Sequence, residues 1–273
     1  MADLGSLLKG VNRAVLGKIS KEGFLDNLYK MTRIKGMSDD HLWQIVQLAK
    51  KHFEKSNIGE WLAEQWQDLG PALKTLDVSE IRRISKEAFE EVVDVLGELD
   101  VFSKEQARAL IEKAKEFWDQ RDVSKWTGEQ LRKLGSLVKG LNREEIKALS
   151  KDSFKEAIGA LGERLDLDEG TLSALAERAK EIFVGSNVTK FVVEELKILG
   201  RVVLGLTVED LGKLNIDSID VIAALGKWKG WTEKQVRLRY AQVEILHHES
   251  LLKIIKDFVG YMSYAHLSPM FCG

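Results

Sequence analysis

Apolar residues along this chain recur at three- and four-residue steps, with no alternating stretch of any length, so the pattern predicts helices throughout. Residues 124–188 carry it most cleanly. Thr127, three residues before Gln130, has the spacing of a capping box that opens a helix. Leu131, Leu134, Leu137, Val138 and Leu141 form its apolar face, and Gly140 stands where a left-handed cap would close it. Asn142, with Glu145 three residues on, predicts a short second helix carrying Ile146 and Leu149. Ser150 opens a third, with Phe154, Ile158 and Leu161 inward and Gly162 near its end. Asp168 opens a fourth, with Leu172, Leu175, Ala176, Ala179, Ile182 and Phe183 apolar.

The same marks return at a fixed distance. The box Leu134-Gly135-Ser136-Leu137-Val138-Lys139-Gly140-Leu141 has counterparts beginning at Leu4, Leu69 and Leu199, at intervals of 65 residues. Phe24, Phe89 and Phe154 share that register, with Ile219 fourth; so do the caps Ser20, Ser85 and Ser150, with Asn215 fourth. Phe53, Trp118 and Phe183 close the long helices, and Trp61, Trp126 and Phe191 open the units that follow. Met37, Phe102, Leu167 and Trp231 each precede a helix cap, as a hydrophobic staple requires. Trp231 falls one residue short of strict register, which places a small deletion in the last unit. Phe258-Val259-Gly260-Tyr261-Met262 and Leu267-Ser268-Pro269 read as the start of a fifth unit.

A period this long means units that bury their apolar faces on their neighbours. The expected fold is therefore all-α, an α-solenoid of about four 65-residue, roughly four-helix repeats in a single domain over residues 1–273. The units run approximately 1–58, 59–123, 124–188 and 189–252, with a partial fifth at 253–273. Neither end reads as the atypical polar repeat that closes a solenoid, so a piece of a longer array is expected.

The box Leu-Gly-x-Leu-Val-x-Gly-Leu, then a capped short helix with Ile-x-x-Leu, Ser and Phe, resembles the repeats of the mesothelin, stereocilin and otoancorin superfamily. Residues 130–154 carry it best, and Leu267-Ser268-Pro269 is similar to the family's Leu-Ser-Pro helix start. The resemblance implies a right-handed superhelix of armadillo-like helices and residence outside the cell or at its surface, often through a lipid anchor. It also implies adhesive binding to mucins or gel-like matrices, and no enzymatic activity. Two features depart from the family: cysteine is scarce, and residues 250–273, with Lys253, Lys256 and Asp257, lack the long apolar end of a lipid-anchor signal.

Charge narrows the partner class. Lys plus Arg at 41 nearly balance Asp plus Glu at 43, so there is no general electrostatic pull toward nucleic acid or an anionic membrane. No apolar run approaches the ~20 residues that span a bilayer, so no direct membrane insertion is expected. The single cysteine, Cys272, excludes an internal disulfide framework and a cysteine-based zinc site. Met1-Ala2-Asp3-Leu4 lacks the basic-then-apolar pattern of a secretory leader, which taken alone favours an intracellular, cytoplasmic protein.

Candidate chemistry is sparse. His247-His248-Glu249 is the one histidine pair, and adjacent helical residues point apart instead of sharing a metal; His41, His52 and His266 are scattered. The glycines end helices and form no phosphate loop. The pairs Glu90-Glu91, Glu144-Glu145 and Glu194-Glu195, with lysines nearby, read as solvated faces. No catalytic, cofactor-binding or metal residue is assigned, no cofactor is expected, and an enzyme is not. Trp228, in Trp228-Lys229-Gly230-Trp231, is the candidate partner contact, whereas Trp61 and Trp66 read as core. Asn187-Val188-Thr189 is a glycosylation sequon, making Asn187 a candidate modification site. The expected function is a non-enzymatic binding or adhesion module for a protein or glycoprotein, extracellular if the resemblance holds. The alternatives are an intracellular repeat scaffold and a carrier holding an apolar ligand between helices. The sequence leaves the oligomeric state open.

Overall fold

The computed structural model describes residues 16–55, 57–164, 167–215 and 219–244. The first box at Leu4, the fifth at 258–262 with its cap at 267–269, His247, His248, His266 and Cys272 lie outside the described residues. All regular structure among the described residues is helical: fifteen α-helices, six short 3-10 helices and no strand. The chain groups into two compact units that divide between Ala157 and Ile158.

The first unit contains α1 Lys21–Leu25, α2 Leu28–Thr32, α3 Asp39–His52, α4 Ala63–Leu69, α5 Val78–Ile81, α6 Lys86–Glu98, α7 Lys104–Phe117, α8 Gly128–Leu134 and α9 Arg143–Ala148. Helix α10, Lys151–Gly162, runs across the division. The second unit continues with α11 Glu169–Val184, α12 Val193–Leu199, α13 Val208–Lys213, α14 Ile219–Gly226 and α15 Glu233–Glu244. Helices α4, α8 and α12 start at 63, 128 and 193, and α3, α7 and α11 start at 39, 104 and 169, in each case 65 residues apart.

Local chemistry explains the starts. Thr127 accepts from the Gln130 N–H at 3.1 Å while the Gln130 side chain accepts from the Thr127 N–H at 2.9 Å, a reciprocal capping box. Asn142 and Glu145 do the same at 2.9 and 2.8 Å. Ser20, Ser85 and Ser150 each accept from the N–H three residues on. Behind these caps Phe24, Phe89 and Phe154 are fully buried, as are Trp61, Trp66 and Trp126. The indole N–H groups of Trp61 and Trp126 donate to the carbonyls of Lys55 and Gln120 at 3.0 and 2.9 Å, so each ring fixes the loop before it as well as filling the core.

The Leu-Gly box departs from the single helix its apolar spacing predicts. In the first unit Gly135 takes φ +47°, α8 stops at Leu134, and residues Gly135–Gly140 tighten into a 3-10 helix. Gly140 is not in the left-handed region; its role is close approach. A Cβ there would lie 2.5 Å from the carbonyl carbon of Ala107 on α7. A Cβ on Gly97 of α6 would lie 2.3 Å from the Lys133 carbonyl oxygen, and one on Gly135 would lie 2.4 Å from the Gly97 carbonyl oxygen. Two backbones therefore touch where no side chain fits. In the second unit Gly162 meets the Leu199 carbonyl, Gly200 meets that of Gly162, and Gly205 meets the backbone of Leu172. Near the start of the first unit Arg33 fills the equivalent space over Gly70 and donates to the Gln67 carbonyl at 2.9 Å.

Glycine in a helix interior normally costs about 0.5–1 kcal/mol relative to alanine, so these contacts must justify it. Gly159, also on α10, has nothing within 4 Å of a built Cβ. Chemical denaturation is expected to show Gly97→Ala destabilised by about 1–3 kcal/mol through overpacking, and Gly159→Ala stabilised by about 0.5–1 kcal/mol.

Candidate binding surface

The least exposed ion pairs among the described residues run between helices, whereas the more exposed ones lie mostly within a single helix. Lys115 of α7 and Arg108 of the same helix both pair with Glu145 of α9, whose side chain is 15% exposed. Lys50 of α3 pairs with Glu80 of α5 in the same unit, and in the second unit Lys180 of α11 pairs with Asp210 of α13 at 2.7 Å. The acid is in each case the third residue of its helix, so one carboxylate closes a cap and ties a neighbouring helix. Glu145 is therefore not part of a solvated face, as its pairing with Glu144 suggests; Glu144 is the exposed member. The available signal was the register itself: Lys50, Lys115 and Lys180 stand 65 apart, as do Glu80, Glu145 and Asp210.

Burial pushes the Glu145 carboxyl up, but hydrogen bonds from Arg108, Lys115 and the Asn142 N–H outweigh it and hold its pKa below the usual range. Asp210 is likewise lowered: burial opposes, and Lys180 and Thr207 prevail.

A cleft of about 350 Å3 opens in the second unit, lined among others by Glu169, Leu172, Ser173, Arg201, Gly205 and Thr207. It mixes charged, polar and apolar groups and lies at the small end of ligand-sized pockets, roughly 300–1,000 Å3. Trp228 does not line it. That ring is half-buried, with its edge 3.2 Å from a Cβ built on Gly200 and the Lys227 ammonium 4.7 Å from its centroid. Asn187 is exposed and caps a 3-10 turn, its Oδ1 accepting from the Thr189 N–H at 3.2 Å and hydroxyl at 2.8 Å. Asn57 and Asp122 cap the corresponding turns of the first unit, so residue 187 has a folding role whether or not it is modified. Ser38 caps α3 by accepting from the His41 N–H at 3.3 Å, and the His52 and Phe24 ring centroids lie 5.3 Å apart; among the described residues no group of three or more His, Cys, Asp or Glu could hold a metal ion.

Sequence reasoning passed over two other residues. Leu62 and Val192 occupy the N-cap position that Thr127 holds at α8, make no side-chain cap, and are 68% and 51% exposed. No helix among the described residues is long and apolar enough to cross a membrane. No protein-family model, curated protein or solved structure matches the chain.

Because the folded pKa of Glu145 is depressed, its contribution is present above the unfolded value of about 4.3 and is lost as pH falls through the folded value. Glu145→Gln keeps one acceptor for the Asn142 N–H of the capping box, and removes the charge together with the second acceptor, which faces Lys115. It is expected to cost about 1–2 kcal/mol in urea denaturation at neutral pH, a deficit that shrinks as acid protonates the wild-type carboxylate. Glu144→Gln is expected to stay within about 0.5 kcal/mol of wild type.

Proposed function

We propose that this chain is a non-enzymatic binding and adhesion module that recognises a protein or glycoprotein, mucin-like or matrix-like, outside the cell. Its architecture in this reading is a right-handed α-solenoid of about four 65-residue repeats, armadillo-like, which offers a long surface to partners. The all-helical fold and the 65-residue spacing of corresponding helices support that architecture. The family resemblance of the Leu-Gly box supports the compartment and the partner class.

The observation that carries the binding role is the pair Leu62 and Val192. An apolar residue at an N-cap forgoes about 1 kcal/mol of helix stability relative to Ser or Thr, and here it also exposes its side chain. Folding gains nothing from this arrangement, whereas a partner that covers these side chains does. The half-buried charges are meanwhile engaged in cross-helix pairing, a structural use and not a chemical one.

Leu62→Thr and Val192→Thr separate the two roles. Each is expected to raise stability by about 0.5–1 kcal/mol while weakening binding to an immobilised mucin-type glycoprotein about fivefold in surface plasmon resonance. Wild-type-like binding by both variants, or no glycoprotein binding by the parent, overturns the reading. In the latter case, protein from its natural source with a bare Asn187 would favour an intracellular scaffold.

A further inference from the structure

Near their C-terminal ends α6 and α10 carry Gly97 and Gly162, whose backbones touch the boxes that follow. One period earlier that position is Thr32, the last residue of α2. Here α2 is joined to α4 through side chains. The Thr32 hydroxyl donates to the Asp68 carbonyl at 2.8 Å, and Arg33 donates to the same carbonyl at 3.3 Å and to that of Gln67 at 2.9 Å. The guanidinium lies 3.6 Å from the centre of the Tyr29 ring, itself 49% exposed, so this clamp sits at the surface. The counterparts of Arg33 are Glu98 and Glu163, which belong to junctions made by glycine.

The attachment to α3 differs as well. Phe24 of α1 is fully buried, with its ring centroid 5.3 Å from that of His52. Its counterpart Phe89 packs on two aromatic rings, Phe117 at 5.5 Å and Trp118 at 6.2 Å. His52 stands where the other units have Phe117 and Ile182, and an imidazole offers less apolar area than either. On the receiving helix α4, Trp66 replaces the leucines at 131 and 196; its indole N–H is buried and finds no acceptor among the described residues, which costs free energy.

We propose that α1 and α2 form a detachable pair, which undocks from α3 and α4 as one element while the rest of the first unit stays folded. The two helices are tied to each other: Asn27, between them, donates from its side chain to the Gly23 carbonyl at 2.9 Å, and its own carbonyl accepts from the Met31 N–H at 2.9 Å. At five residues each, neither is long enough to persist alone, so they leave together. What holds them is modest. Hydrogen bonds made at the surface are exchanged for water with little net loss. The large apolar side chains that the pair buries are Phe24, Leu28 and Met31, whereas α6 by itself buries Phe89, Val92, Val93 and Leu96. Undocking bares the side of α4 that α2 covers, a surface the closed state does not offer to a partner.

Native-state amide hydrogen exchange on the full chain, at several urea concentrations below the unfolding transition, tests the assignment. The hydrogen-bonded amides of Phe24, Asp26 and Met31 are expected to exchange through one opening, with a common protection factor at least about a hundredfold below those of Phe89 and Leu131. That opening should accelerate with urea, because it bares apolar surface, whereas simple fraying is insensitive to urea. Arg33→Met should lower protection about tenfold at all three amides and leave Phe89 and Leu131 unchanged. His52→Phe, which installs the residue found at 117, should raise protection at Phe24 and Met31 together by about tenfold, although it touches only α1. Exchange of Phe24 and Met31 with different protection or without urea dependence overturns the assignment, as does an effect of His52→Phe confined to α1. Arg33→Met lowering Phe89 and Leu131 equally overturns it too, because the pair would then open only with the whole unit.

Discussion

Backbone meeting backbone at paired glycines is the constraint on which the rest of the packing depends. Gly97 against Gly135 in the first unit, and Gly162 against Gly200 in the second, bring a helix end and the following box so close that no Cβ fits between them. This approach lets the 3-10 segments 135–140 and 200–205 lie along α7 and α11, where Gly140 and Gly205 again touch backbone. The buried leucines and aromatics supply most of the free energy through apolar area removed from water, but area has no direction. The glycine contacts give it one. They fix which helix meets which box, and the phenylalanines and tryptophans then fill the space that remains.

The ion pairs act at the next level. Each cross-helix lysine meets a carboxylate already held by its own capping box, so little further side-chain freedom is lost when the pair forms. That preorganisation separates Glu145, at 15% exposure, from an ordinary surface pair such as Lys213 with Glu209, whose side chains are 58% and 77% exposed. The Gln106 and Gln235 side chains work similarly. Each caps its own helix and also donates to two carbonyls at the end of a preceding 3-10 segment, one inside it and one on the residue that follows it: Lys74 and Leu76, or Leu204 and Leu206. Polar groups are used twice, once locally and once across helices.

Local features were legible in the sequence and cross-helix ones were not. Thr127 with Gln130, Asn142 with Glu145 and the serine caps act within four residues, so spacing alone identifies them. The apolar face of Leu131, Leu134 and Leu137 is equally plain, and all three side chains are buried. The same spacing hid the break at Gly135, because a 3-10 turn after a positive-φ glycine keeps apolar residues on nearly the same side. Gly140 looked like a helix end because a glycine needed for close approach has the same letter as one needed for φ. Glu145 looked solvated because its partners lie 30 and 37 residues away.

If the glycine contacts couple each helix to the box after it, native-state amide hydrogen exchange on Gly162→Ala will read that coupling. Protection is expected to fall across the box, at residues 196–203, by as much as it falls at the C-terminal end of α10. Loss of protection confined to α10, with the box as protected as in wild type, would contradict it.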